Sequence, residues 1–185
     1  MLALYRRYYN DRYRILANLV EPNSSVLDIC CGPGILYGRY LRRKNISYFG
    51  LDLNPAFIRR VITYGGTGAV QDVRTMKEFP GADFVIMQAS LYHFLPDAAP
   101  ILERMVKAAK KSVIITEPIS NVADSKSPFI SRFAALISDP GTGPQALRFT
   151  EPSLDRLLKS TLNRPIRSLQ IGGGRERIYI VATRA

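Results

Sequence analysis

The segment Val26-Leu27-Asp28-Ile29-Cys30-Cys31-Gly32-Pro33-Gly34 decides how the rest of the chain is read. Its first half, from Ser24 to Cys30, has the apolar run of a short buried strand with one acid inside it. Cys31-Gly32-Pro33-Gly34 is a tight turn, and a helix follows through about Arg43. A glycine turn after a buried parallel strand lets a ligand approach the backbone closely. Such ligands lie at the carboxyl ends of the strands, at a topological switch point.

Working outward, Ser47 to Leu53 reads as the next strand. Asn54 then caps a helix with Pro55 at its first position, where a missing N–H costs nothing. Gly65, Gly66 and Gly68 lead to a short strand around Ala69–Gln71, and Asp83 to Ala89 is a strong buried strand. A helix follows Asp97, with Ile101, Leu102, Met105, Val106 and Ala109 inward, and Ser112 to Thr116 is a further strand. Thr150 caps a last helix bearing the stripe Leu154, Leu157, Leu158 and Leu162. Ile166–Ile171 and Arg177–Thr183 form a closing pair around Gly172-Gly173-Gly174. Ahead of the turn, residues 4–20 form a helix with Tyr5, Tyr9, Tyr13, Leu16 and Val20 on one side. This alternation predicts an α/β fold: a Rossmann-like, mostly parallel seven-stranded sheet, helices on both faces and a C-terminal antiparallel hairpin. Residues 1–185 are expected to form a single domain, with residues 1–20 as a cap helix. Residues 119–149 are poorer in pattern, with one helix expected at 128–138; a connection this long suits a lid insertion.

Bulk composition agrees with this class. The 185 residues are 46% apolar and 22% charged, which excludes collagen-like, disordered and disulfide-scaffold chains. Adjacent Cys30 and Cys31 can neither close a loop nor make a metal-ligand set, so a reducing, cytoplasmic location and no metal site are expected. There is no apolar run near the ~18 residues of a membrane span, and the N-terminus lacks a signal-peptide core. Lys plus Arg number 26 against 15 Asp plus Glu, a net charge of +11, but the cations are scattered and no internal repeat or basic run occurs.

Asp52, at the end of the second strand, can accept both hydroxyls of a ribose, which implies a nucleoside-containing ligand. Two readings compete. Gly32-x-Gly34-x-x-x-Gly38 resembles a dinucleotide turn, with Tyr37 where the usual third glycine falls. Against it, Asp28 would face a pyrophosphate at a Coulombic cost, and suits a cationic group such as an ammonium or a sulfonium.

Four stretches together resemble class I S-adenosylmethionine-dependent methyltransferases. Val26 to Gly34 is similar to their first motif, Gly50-Leu51-Asp52-Leu53-Asn54-Pro55 to the second, Gln71-Asp72-Val73 to the third, and Asp83 to Phe94 to the fourth. The four stand in the right order over residues 20–120. One departure is Cys30, which stands where the family usually has its first glycine. The resemblance implies S-adenosyl-L-methionine as cofactor. It places Asp28 near the methionyl ammonium, and Cys30, Gly32 and Gly34 along the methionyl and ribose moieties. It puts Asp52 on the ribose hydroxyls, Leu53 on the adenine face, Asp72 on the adenine amino group, the Val73 N–H on a ring nitrogen and Gln88 at the sulfonium end.

Methyl transfer from a sulfonium is an in-line displacement in which positioning supplies much of the catalysis. A base is needed only if the acceptor loses a proton. His93, the sole histidine, and Glu117 are the candidates, and Tyr92 could orient the acceptor. Phe129, Ile130, Phe133 and Ile137 would give the lid an apolar face. A small-molecule acceptor with apolar or anionic character is therefore expected. The chain lacks the Asn/Asp-Pro-Pro-Tyr/Phe signature of exocyclic-amine methylation, which leaves RNA as the second acceptor class. A non-catalytic nucleoside- or dinucleotide-binding protein is the alternative of a different kind.

Overall fold

The structure, a computed structural model, describes residues 2–119 and 148–183, with only the backbone described over residues 2–9. Helix α1 (Leu2–Leu19) precedes β1 (Ser25–Ile29). A π-helical segment (Leu36–Leu41) and a 3-10 turn (Arg42–Lys44) lead to β2 (Ser47–Asp52), α2 (Pro55–Thr63) and β3 (Thr67–Val70). Then come β4 (Ala82–Gln88), a 3-10 turn (Leu91–Phe94), α3 (Ala99–Ala108) and β5 (Ala109–Pro118). After the segment outside the described residues, α4 (Glu151–Thr161), β6 (Ile166–Ile171) and β7 (Glu176–Ala182) complete the fold.

The sheet order is β3-β2-β1-β4-β5-β7-β6. Strands β1 to β5 run parallel, and β7 is antiparallel to both β5 and β6. The expected α/β class, the seven strands and the closing hairpin are all present. The chain builds outward from β1 to β3 and then returns to β4 on the other side of β1, so the switch point lies between the carboxyl ends of β1 and β4.

Side chains alternate between two cores, as the pleat requires. Leu27, Ile29, Val85 and Met87 join Leu102 and Met105 of α3 and Leu154 and Leu158 of α4 on one face. Val26, Phe84 and Ile86 join Leu16 and Val20 of α1, Leu36 and Leu41, and Ile58 and Val61 of α2 on the other. Asn54 and Thr150 cap α2 and α4 as predicted, each accepting a backbone N–H through its side chain.

Some bounds differ from the expected ones. Strand β5 begins at Ala109 rather than Ser112, because Ala109 pairs with Ala82 of β4 although Lys110 and Lys111 break the apolar run. The turn after β1 winds into π-helical rather than α-helical geometry over Leu36–Leu41. There Gly38 lies against the Tyr64 ring so closely that a Cβ would fall 2.3 Å from it.

Arg12 of α1 pairs with Glu176, at the end of β7 beside the carboxyl terminus of β5. The middle of α1 therefore lies beside the carboxyl end of β5. The expected helix at 128–138 and the lid residues Phe129, Ile130, Phe133 and Ile137 lie outside the described residues, as do the side chains of Tyr5 and Tyr9. Among the described residues no helix is long and apolar enough to cross a membrane.

Candidate functional site

Strand β1 is flanked by β2 and β4, and both reach Asp28. The Tyr48 hydroxyl of β2 donates to Asp28 Oδ2 at 2.8 Å, and Gln88 Nε2 of β4 lies 3.4 Å from the same oxygen. Asp28 is fully buried, and burial pushes its carboxyl up to about 7. Its Oδ1 and the Gln88 Oε1 are buried with no hydrogen-bond partner. Two acceptors withdrawn from water and left unmatched constitute a site for a donor, and a cationic donor suits the acid best. Tyr48 was not visible as a site residue. Its signal was Tyr48-x-Gly50, two residues on one face of β2. A Cβ on Gly50 would sit 2.8 Å from Cys31 Sγ and 3.3 Å from the Tyr48 ring, so the glycine leaves both side chains their room.

The turn after β1 is held to the tip of β2. Asp52 Oδ2 accepts the Gly32 N–H at 2.8 Å, and Oδ1 accepts the Asn54 N–H at 2.9 Å. Each oxygen keeps a further lone pair, and burial raises the carboxyl above its ordinary range. Gly32 and Gly34 have φ of +55° and +66°, and a Cβ on Gly32 would meet nothing within 4 Å. Cys30 adopts the same left-handed region at φ +56°, where a glycine would be unstrained. Leu53, beside Asp52, is 39% exposed, a large apolar surface at the edge of the crevice.

The loop after β3 is different. Both Asp72 oxygens are engaged by the Arg74 guanidinium at 2.8–3.1 Å, and Oδ1 also accepts the Arg74 N–H. The Arg74 bonds hold this carboxyl below its ordinary range. Asp72 is thus a satisfied acid in a local clasp rather than the open acceptor expected for an adenine amino group. Val73 is buried in the core face shared with Leu51.

On the other side of the crevice, Glu117 ends β5. It is fully buried, and its Oε1 accepts the N–H groups of Ser90 at 2.8 Å and Leu91 at 2.5 Å. Burial pushes it up to about 8 against the lowering effect of those bonds and of Arg148. Glu117 therefore fixes the turn that carries Tyr92 and His93. The two rings meet at 4.0 Å, and the Arg148 guanidinium lies 3.6 Å above the Tyr92 ring. His93 is half-buried. Arg148 also escaped the sequence reading, because it follows the weakly patterned segment and nothing local ties it to Tyr92. The structure thus brings Asp28, Gly32, Gly34, Asp52 and Gln88 together around the switch point, and Tyr92, His93 and Glu117 at the β4–β5 tips. Among the described residues no cluster of His, Cys, Asp or Glu that could hold a metal ion occurs.

Comparison with known proteins agrees with this architecture. A family model described as methionine biosynthesis protein MetW matches residues 10–122. Magnesium protoporphyrin IX methyltransferase (ChlM) of Synechocystis PCC 6803, crystallised with bound SAH, is similar at a TM-score of 0.73 and 16% identity, over 97% of this chain and 85% of that one. A SAM-dependent methyltransferase of Aquifex aeolicus is similar at 0.64 and 15%, over 94% and 90%. A TehB-like SAM-dependent methyltransferase of Corynebacterium glutamicum is similar at 0.64 and 14%, over 91% and 85%. At these identities the likeness is one of fold. No curated protein matches the sequence.

Proposed function

This chain belongs to the MetW family, and from that premise we propose that it is an S-adenosylmethionine-dependent methyltransferase that transfers a methyl group in line to a small-molecule acceptor. The observation that carries the reading is the fully buried Asp28 with its unmatched Oδ1 between β2 and β4, beside the Asp52-anchored glycine turn. A buried acid there repels a pyrophosphate and attracts a cation.

The chain's own groups fit that cofactor. Asp28 would take the ammonium, Asp52 the ribose hydroxyls through its remaining lone pairs, and Leu53 the adenine face. Gly32, Gly34 and Cys30 would line the path between them, and Val73 the adenine end. Gln88 would stand at the sulfonium end. When bound, the cofactor supplies an electrophilic methyl group on a positively charged sulfur. Tyr92 and His93 form the acceptor side. His93 is the candidate to receive a proton where the acceptor has one to lose, while Glu117 holds their turn in place. Catalysis rests mainly on positioning, worth at most about 7–11 kcal/mol.

A thermal-shift series with S-adenosylhomocysteine, NAD and NADP tests the reading. S-adenosylhomocysteine at a hundredfold excess over its dissociation constant should stabilise the protein by about 2.7 kcal/mol. Asp52→Ala should lose that response while still unfolding cooperatively. Stabilisation by NADP alone would overturn the proposal in favour of dinucleotide binding. Labelled-methyl transfer to a metabolite panel and to total RNA then separates the two acceptor classes.

A further inference from the structure

The acceptor side carries a cation that no acid pairs with among the described residues. At the β5–β7 edge Arg12 pairs with Glu176 at 3.0 Å, and Arg177 pairs with Glu151. Exposed Arg148 has no carboxylate within ion-pairing distance among the described residues. The acid that feels its charge is Glu117, which is buried and whose Oε1 is already engaged by two backbone N–H groups. Arg148 instead lies on the face of Tyr92, 3.6 Å from the ring centroid. A guanidinium on an aromatic face keeps its in-plane N–H fork for an anion. The ring beneath it is fixed in turn, because Glu117 ties the amides of Ser90 and Leu91 just ahead of it.

We infer that Arg148, seated on Tyr92 at the β4–β5 edge of the crevice, is a specificity residue that binds a carboxylate group of the methyl acceptor. The inference rests on the methyltransferase reading and narrows its substrate class to carboxylate-bearing small molecules. A carboxylate fits better than a phosphate on two counts. The planar fork matches a carboxylate bidentately. One unmatched cation balances one negative charge, whereas a phosphate ester brings about −1.5 to −2 and leaves a surplus.

The test titrates benzoate, benzamide and phenyl phosphate into protein saturated with S-adenosylhomocysteine, followed by calorimetry and by ligand-observed magnetic resonance. Benzoate should bind about tenfold more tightly than its neutral isostere benzamide, and no more weakly than phenyl phosphate. Arg148→Met should bring benzoate down to the level of benzamide, and Arg148→Lys should fall between. Both variants should keep the wild-type unfolding midpoint and affinity for S-adenosylhomocysteine. Equal binding of benzoate and benzamide, or a carboxylate preference that survives in Arg148→Met, overturns the inference. Tighter binding of phenyl phosphate than of benzoate overturns the choice of carboxylate. Failure of S-adenosylhomocysteine to bind strikes the methyltransferase reading instead, and the same titrations on the unliganded protein still read the Arg148 site.

Discussion

Cys30 shows how a single position registers the demand of the site. Its φ of +56° lies in the left-handed region, which costs a non-glycine residue about 1–2 kcal/mol. Ala89 at the tip of β4 has φ of +47°, so both strands that flank the switch point end in a strained non-glycine residue. Cys30→Gly should leave stability within about 1 kcal/mol of wild type. The relief of strain is offset by the extra unfolded-state entropy of glycine and by lost packing of a half-buried thiol. Cys30→Val should cost about 2–3 kcal/mol, because a β-branched side chain tolerates this region worst. Urea denaturation of the two variants reads the difference, and a valine variant as stable as wild type would show that the turn does not need its left-handed residue. Sequence made Gly32, Gly34, Asp28 and Asp52 legible, because a strand, a turn and two acids at strand ends form a local pattern. It could not show Tyr48 bonded to Asp28 or Arg148 on Tyr92. Those contacts join residues 20 and 56 positions apart, which only the strand order brings together.

Among the elements, the strands were legible wherever both faces are buried and the apolar run is continuous, as in Asp83–Gln88. Legibility failed where pairing extends past the run, as at the start of β5, or where an element is held by a distant side chain. Helix α1 itself was legible, expected over residues 4–20 and found over Leu2–Leu19, but the side chain that holds its end was not. Its last carbonyls need partners at a helix end. The Lys44 ammonium, from the 3-10 turn before β2, supplies them by donating to Ala17 O at 2.5 Å and Val20 O at 2.6 Å. A cation at a helix C-terminus also complements the helix dipole. Lys44→Met should therefore destabilise the fold by about 1–2 kcal/mol, and Lys44→Arg by less, since a guanidinium can still donate to the carbonyls. Thermal unfolding at low and high salt checks this. Because the bonds are short and half-buried, the loss should persist at high salt; a deficit that vanishes there would reduce Lys44 to a surface charge.

At the scale of the whole molecule, the site is maintained at the expense of stability, and pH exposes the cost. Asp28 is raised to about 7 and Glu117 to about 8, both chiefly by burial. Between their unfolded values near 4 and these folded values the native state binds the extra protons. Their contribution to stability is thus fully present below about pH 4 and is lost as pH rises through 7 to 8. Asp72 and Asp83, which their hydrogen-bond partners hold below the ordinary range, act in the opposite sense and lose their contribution as the medium turns acidic. The unliganded protein should be most stable in mildly acidic solution and should lose melting temperature between about pH 5 and 8, where the two carboxyls lose their extra protons. A cationic ligand group beside Asp28 changes the balance, because it favours the ionised carboxylate. S-adenosylhomocysteine keeps its ammonium through this range, so its thermal stabilisation should be larger at pH 8 than at pH 6. Asp28→Asn, which keeps the acceptor for Tyr48 but cannot ionise, should weaken binding and remove that pH dependence. A wild-type shift that is the same at both pH values would detach Asp28 from the ligand, and would leave its buried charge as a cost with nothing in the crevice to offset it.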